Sequence, residues 1–268
     1  MNVESRTVAG AEGLAAVKAS PGSALAAFDF DGTLAPIVDD PGSARAQEGA
    51  AAALAELARH LGKVAVITGR PAAVAVEYGG LAGIEGLVVL GQYGRERWEN
   101  DTLDSPEAPP GVAEARVKLP KIIQTAPEGV VIEDKGHALA VHTRRAAEPE
   151  VALERLRSLV AALAERTGLM MEPGRFVLEL RPPGMDKGAA LRALVAELGS
   201  TAVLYAGDDL GDLAAYDAVD ALRAEGVPGV TVCSASDEVI ALAERADLVV
   251  DGPPGVVRLV ESLTSELF

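Results

Sequence analysis

Cysteine occurs once in 268 residues, at Cys233. That count excludes an internal disulfide and a cysteine-ligated zinc site, and it suits a reducing compartment. Aromatic residues make up only 3% of the chain, so Ala, Val and Leu must build its core. Basic residues are also short: 24 Lys and Arg face 40 Asp and Glu, a net charge of −16. Such a balance argues against nucleic acid or an anionic membrane as partner, and an anionic substrate would need locally placed cations. No run approaches the ~18 apolar residues of a membrane span. The N-terminal stretch carries Glu4 and Glu12 without a long apolar segment, and so does not read as a signal peptide. The expectation is a soluble, cytoplasmic monomer that binds neither nucleic acid nor membrane.

What is present is an ordinary globular composition, 49% apolar and 24% charged, long enough for one large domain or two smaller ones. After an Ala/Gly-rich lead-in (residues 1–22), expected to be loose or helical, short β-branched runs alternate with longer Ala/Leu/Glu stretches. Ala24–Phe28, Lys63–Thr68, Leu87–Leu90, Ala202–Ala206, Val230–Cys233 and Leu248–Asp251 read as core strands. Gln47–His60, Pro71–Tyr78, Lys187–Leu198 and Asp212–Arg223 read as helices between them. This alternation predicts an α/β fold with a doubly wound, Rossmann-like parallel sheet. The middle differs. Asn100–Gly111 reads as a Pro/Asp-rich linker, followed by helices over Val112–Thr125 and Glu148–Thr167. Strands are expected at Val130–Asp134, Ala138–His142, Met170–Glu172 and Phe176–Arg181. Residues 100–183 are therefore expected to form an inserted α+β domain, with 23–99 and 184–268 as the core.

The chemistry concentrates where predicted strands end. Asp29-Phe30-Asp31-Gly32-Thr33 follows the first strand, and period-2 geometry points Asp29 and Asp31 the same way. Two acids forced together repel unless a cation sits between them. Gly32 and Thr33 offer a tight turn and a hydroxyl suited to phosphate. Thr68-Gly69-Arg70 follows the second strand and offers the same. Lys187 opens a helix, where an ammonium can neutralise both phosphate and nucleophile. Gly207-Asp208-Asp209-Leu210-Gly211-Asp212 ends a late strand. In an open α/β sheet, ligands bind at these carboxyl ends. Hard oxygen donors beside a phosphoryl substrate favour Mg²⁺. The combination describes phosphoryl transfer through an aspartyl-phosphate.

In order, FDFDGTLAP, VITGRP, Lys187 and GDDLGD resemble the four motifs of the haloacid dehalogenase-like phosphohydrolases. GQYGRERW (Gly91–Trp98) and LELRPPGMDKGAAL (Leu178–Leu191) further resemble segments of the trehalose-6-phosphate phosphatase family. The resemblance implies Asp29 as nucleophile and Asp31 as acid and then base. Asp29, the Asp31 carbonyl and Asp208 would hold Mg²⁺. Thr68 and Lys187 would hold the phosphoryl group, with Gly69, Arg70 and Gln92 also contacting substrate. Asp209 and Asp212 would support the metal or the lysine. Gly211 and Leu213 depart from the family's usual Thr and Glu, which leaves the roles after Asp209 open.

Sugar recognition would fall to the inserted cap. Val177, Glu179 and Arg181 share one face of a strand whose other face is apolar, and Glu133 with Lys135, and His142 with Arg144, repeat the device. The resemblance assigns the sugar to Glu133, Lys135, Arg144, Glu179 and Arg181. His137 and His142 are read as strand-surface residues, His60 as a helix-end residue, Trp98 as packing and Cys233 as a buried small hydrophobe. The expected activity is hydrolysis of trehalose 6-phosphate to trehalose and phosphate. Sucrose 6-phosphate, a glycosyl-phosphoglycerate, or a non-catalytic phosphosugar-binding role stand as alternatives.

Overall fold

The computed structural model describes residues 5–38, 40–174, 176–235 and 240–267. The chain divides into two compact units, Met1–Asp104 with Asp186–Phe268, and Ser105–Met185. The first unit begins with α1 (Val8–Ala19), β1 (Ala24–Phe28), α2 (Ala50–Ala58), β2 (Lys63–Ile67) and α3 (Ala72–Gly79). It continues through β3 (Leu87–Gly91), β4 (Glu96–Glu99) and β5 (Thr102–Asp104). The second unit comprises α4 (Pro110–Ile123), β6 (Val131–Asp134), β7 (Leu139–His142), α5 (Pro149–Thr167), β8 (Met170–Gly174) and β9 (Val177–Arg181). The chain then returns through α6 (Lys187–Leu198), β10 (Ala202–Gly207), α7 (Leu213–Ala224) and β11 (Gly229–Ser234). It ends with α8 (Ile240–Arg245), β12 (Leu248–Val250) and α9 (Gly252–Ser265).

The first unit is built on an eight-stranded sheet of order β12-β11-β10-β1-β2-β3-β4-β5. All pairings from β12 to β3 are parallel, and β4 and β5 close that edge antiparallel. Strands buried on both faces need apolar residues at every position, and β1 supplies them. Ala24, Ala26 and Phe28 join one core with Leu54, Leu57 and Val260, while Leu25 and Ala27 join another with Leu191, Leu194 and Val219. From β1 the chain winds outward through β2 and β3, then re-enters at β10 and winds the other way. The β1/β10 boundary is thus the topological switch point, where ligands bind in such sheets.

Of two stretches, the lead-in takes the helical of its two expected forms and the linker departs from expectation. The lead-in is largely helix α1, which belongs to this unit; its Met1–Glu4 lie outside the described residues. Thr7 caps α1 by accepting the Gly10 N–H at 3.0 Å, and it also bonds buried Asp247. Part of the expected linker is strand β5, because the turn at Asn100 and Asp101 adopts positive φ (52° and 56°) and folds it back on β4. That turn chemistry suits hairpins.

The second unit is a four-stranded antiparallel sheet, β6-β7-β9-β8. Its apolar face presents Leu139, Val141, Leu178 and Leu180 to Val112 and Leu119 of α4 and Leu156, Val160 and Leu163 of α5. Each such buried side chain contributes roughly 1.5–3 kcal/mol. His137 departs from its reading as a strand-surface residue. It is buried in the β6–β7 turn, within 3.2 Å of the Ser105 hydroxyl. Among the described residues, no helix is long and apolar enough to cross a membrane.

Candidate active site

Asp29 follows β1 and Asp208 follows β10, so both carboxylates emerge at the switch point. Asp29 takes no further step along the sheet except its own N–H, which donates to the Ala206 carbonyl at 2.8 Å. Gly32 then turns the chain at φ 74°, and a Cβ there would lie 1.9 Å from Asp208 Oδ2. Only glycine tolerates both conditions. The turn is pinned from β11, where the buried Ser234 hydroxyl donates to the Gly32 carbonyl at 2.7 Å. Thr33, expected to face phosphate, instead donates to Asp208 Oδ1 at 3.3 Å, because it is fully buried behind the turn.

Lys187 is the first residue of α6, capped by Asp186 accepting the Ala189 N–H. A Cβ on Gly188 would lie 2.2 Å from the Ala214 carbonyl, so glycine lets α6 approach α7 and carries the ammonium inward. Lys187 Nζ sits 3.0 Å from Asp29 Oδ1, 2.8 Å from Asp212 Oδ1 and 3.9 Å from Asp209 Oδ1. Asp212 is saturated. Its Oδ1 also accepts the Tyr205 hydroxyl at 2.6 Å, and its Oδ2 accepts the N–H groups of Asp208 and Asp209. The Leu210–Asp212 turn is closed by a capping box between Asp209 and Asp212, with Gly211 N–H on Asp209. Gly211 and Leu213 are therefore accommodated without loss of Asp212, and Leu213 opens α7.

The charge balance is unfinished. Four carboxylates (Asp29, Asp208, Asp209, Asp212) face one ammonium. Burial pushes the Asp29 carboxyl well above its ordinary range; Lys187 opposes this, while Asp212, Asp208 and Asp209 add to it. Burial, then Asp212 and Asp209, push Asp208 up to about 8. Burial works against Asp212 as well, but Lys187 and the Tyr205 hydroxyl outweigh it and hold that carboxyl low. Burial likewise opposes the Lys187 ammonium, yet Asp212 and Asp29 keep it firmly charged. Oxygen atoms of Asp29, Asp208 and Asp212 lie within 4.8 Å of one another, all buried, so this cluster can hold a metal ion. With Asp212 already spent on four hydrogen bonds, Asp29 and Asp208 are the two with oxygens to offer. Hard donors and a deficit of positive charge fit a divalent cation.

Thr68, Gly69 and Arg70 follow β2, the strand that pairs with β1. Thr68, buried, accepts the Arg70 N–H on its hydroxyl at 3.1 Å and keeps its own proton to donate. Arg70 forks onto Asp31, with Nε and Nη2 each 2.6 Å from a carboxylate oxygen. Gln92, expected to contact substrate, is 0% exposed, and its N–H donates to the Arg70 carbonyl. Gln92 and Tyr93 both hold positive φ (49° and 55°), a strain typical of functional loops. The Tyr93 N–H donates to the Thr68 carbonyl, which clamps the two loops together. A Cβ on Gly69 would fall 2.7 Å from the Tyr93 hydroxyl.

In the second unit, pairing aligns Glu133, Ala140, Glu179 and Glu172 in one row across the sheet. Lys135 Nζ donates to Glu179 Oε2 at 2.7 Å, Glu133 meets His142 at 2.8 Å, and Arg181 meets Glu172 at 3.1 Å. Arg144 is exposed just beyond β7. The other Glu179 oxygen, Oε1, is buried without a hydrogen-bond partner among the described residues. Such atoms are rare and call for a ligand or water.

Sequence reasoning missed Tyr205, Ser234 and Tyr93. Tyr205 lies inside an apolar run that nothing marks as polar. Ser234 ends a strand, and the rule that found Asp29 and Asp208 could have found it.

The family model for trehalose-phosphatase matches residues 27–248. The trehalose-phosphate phosphatase of Mycobacterium avium is 36% identical over 253 residues, covering 90% of this chain and 62% of that protein. That of Mycobacterium leprae is 34% identical over 255 residues, covering 90% and 57%. The chain thus spans about three-fifths of the length of these curated relatives. Among solved structures, the C-terminal domain of Candida albicans trehalose-6-phosphate phosphatase superposes with a TM-score of 0.77. It is 19% identical, and 99% of each chain is covered.

Proposed function

The chain belongs to the trehalose-phosphatase family, and from that premise we propose that it hydrolyses trehalose 6-phosphate to trehalose and phosphate. The observation that carries the reaction class is the buried carboxylate cluster at the switch point, with Lys187 between Asp29 and Asp212. An Asp29 oxygen attacks phosphorus, the bond to the sugar oxygen breaks, and Asp31 gives that oxygen a proton. Asp31 then takes a proton from the water that attacks the aspartyl-phosphate, and the bond from phosphorus to Asp29 breaks. Lys187 and the Thr68 hydroxyl hold the transferring group, and Asp212 with Tyr205 keeps Lys187 aimed. Asp29, Asp208 and the Asp31 carbonyl would hold Mg²⁺, which would supply the positive charge that the cluster lacks. Most of the rate comes from positioning and charge stabilisation.

The second unit reads the disaccharide in this proposal, through Glu133, Lys135, Arg144, Glu179 and Arg181. The buried Glu179 Oε1 supports this, since a sugar hydroxyl would satisfy it. Phosphate release across a panel of sugar phosphates, with Mg²⁺ and with chelator, tests both levels. Trehalose 6-phosphate should lead, and chelation should abolish turnover. A preference for sucrose 6-phosphate or a glycosyl-phosphoglycerate replaces the substrate, while metal-independent turnover removes the mechanism.

Glu179→Gln keeps an acceptor for Lys135 and removes the charge. Its KM for trehalose 6-phosphate should rise about tenfold, or ~1.4 kcal/mol, with little change for 4-nitrophenyl phosphate. Equal losses on both substrates would show that Glu179 supports the fold and does not contact the sugar.

A further inference from the structure

We propose that Arg70 is a positioning residue that fixes the carboxylate of Asp31, and not a ligand of the substrate phosphate. This rests on the reading of Asp31 as the proton donor of the reaction above. The resemblance gave Arg70 to the substrate, but its side chain is committed elsewhere. Nε and Nη2 form a two-pronged contact with Asp31, each at 2.6 Å, the planar geometry in which a guanidinium matches a carboxylate. Nη1 donates to the Pro41 carbonyl at 3.0 Å. The guanidinium also lies 5.8 Å from the Phe30 ring centroid and 5.4 Å from that of Tyr78, within cation–π range of both. Arg45 lies 4.3 Å from the same Tyr78 ring. Held by a carbonyl and two rings, the Arg70 side chain is only 16% exposed.

Asp31 is the opposite case. Its side chain is 41% exposed, and the hydrogen bonds described for its carboxylate all come from Arg70. The backbone is fixed, by the bridge of Asp31 to Ala35 and the Gly32 N–H on the Ala35 carbonyl, yet that leaves the side-chain torsions open. Without the fork the carboxyl samples several rotamers in solvent, and an acid displaced by about 1 Å can lose on the order of a hundredfold in rate.

The fork still permits proton transfer. When Asp31 carries a proton, one prong opens, while the other prong, Pro41 and the rings keep the guanidinium in place. The Asp31 O–H bond then breaks as the proton passes to the sugar oxygen, which keeps the electron pair of its broken bond to phosphorus.

Substrates with different leaving groups test this. The sugar alkoxide needs a proton to depart, whereas 4-nitrophenolate leaves without one. Single-turnover release is measured for both trehalose 6-phosphate and 4-nitrophenyl phosphate at saturating Mg²⁺. Arg70→Gln should slow sugar release about 30- to 100-fold and alter 4-nitrophenolate release less than about threefold. Arg70→Lys, which keeps the charge but not the fork, should show the same split, and it carries the test if the glutamine variant does not fold. KM should hold for both substrates.

Asp31→Asn is the control. If it shows the split and the Arg70 variants do not, Arg70 does not position Asp31, and only this inference falls. A raised KM, equal for both substrates, would return Arg70 to the phosphate. If Asp31→Asn itself shows no split, the proton-donor reading falls and the inference falls with it.

Discussion

Replacing Asp29 with Asn should abolish turnover while leaving the protein as stable as before, or more so. In the proposed reaction the change removes the oxygen that would bond to phosphorus, and an amide cannot form the aspartyl-phosphate. A loss of at least ~10³-fold in kcat is expected, since covalent catalysis has no substitute in the cluster. Stability moves the other way. Asp29 is 4% exposed among three further carboxylates with one lysine, and its folded-state pKa lies well above that of the unfolded chain. A carboxyl raised on folding contributes stability below its unfolded pKa, and loses it as pH rises towards the folded value. In the metal-free wild type the contribution of Asp29 to stability should therefore fall as pH rises above about 4. The Asn variant lacks that titration, so its Tm advantage of a few °C should grow with pH. Wild-type-like turnover by this variant would sink the nucleophile assignment. A fall in its Tm at neutral pH would instead mark Asp29 as a structural pillar.

How much of this was legible in the sequence follows from what periodicity and strand ends encode. The parallel strands were readable because β1, β2 and β10 are buried on both faces and, Lys63 at the start of β2 apart, form apolar runs. The cluster was readable because acids placed together after such strands repel one another unless a cation joins them. β5 was not, since Thr102, Leu103 and Asp104 are exposed and carry no apolar alternation. Their pairing depends on the backbone turn at Asn100 and Asp101. Helix α1 was read only as loose or helical, because its apolar content is spread around the helix and its burial comes from packing on β10 and β11. Residue type singled out Arg70 but not its partner. The fork onto Asp31 forms beside the Pro41 carbonyl and the rings of Phe30 and Tyr78, which only the fold brings together.

Lys187→Met should cost both stability and activity, and a second substitution should separate the two. Methionine fills similar volume but leaves Asp29 and Asp212 buried without a counter-charge. Breaking a buried pair in this way costs about 3–5 kcal/mol, on the order of 10 °C in Tm for a domain of this size. Activity should fall at least ~10²-fold, because the developing charge on the phosphoryl group loses its ammonium. Asp212 is the residue that suffers most. It is fully buried, Lys187 supplies much of what holds its carboxyl low, and Tyr205 and the Asp208 and Asp209 amides remain as neutral donors. Neutralising it in Lys187→Met/Asp212→Asn removes the stranded charge. That double variant should recover more than half of the lost stability, a coupling of about 2 kcal/mol or more. It should recover none of the activity, since the ammonium is still missing. Chemical denaturation of the wild type, both single variants and the double variant closes the cycle. Additive losses would mean that Lys187 and Asp212 act independently, and would leave Asp29 as the lysine's working partner.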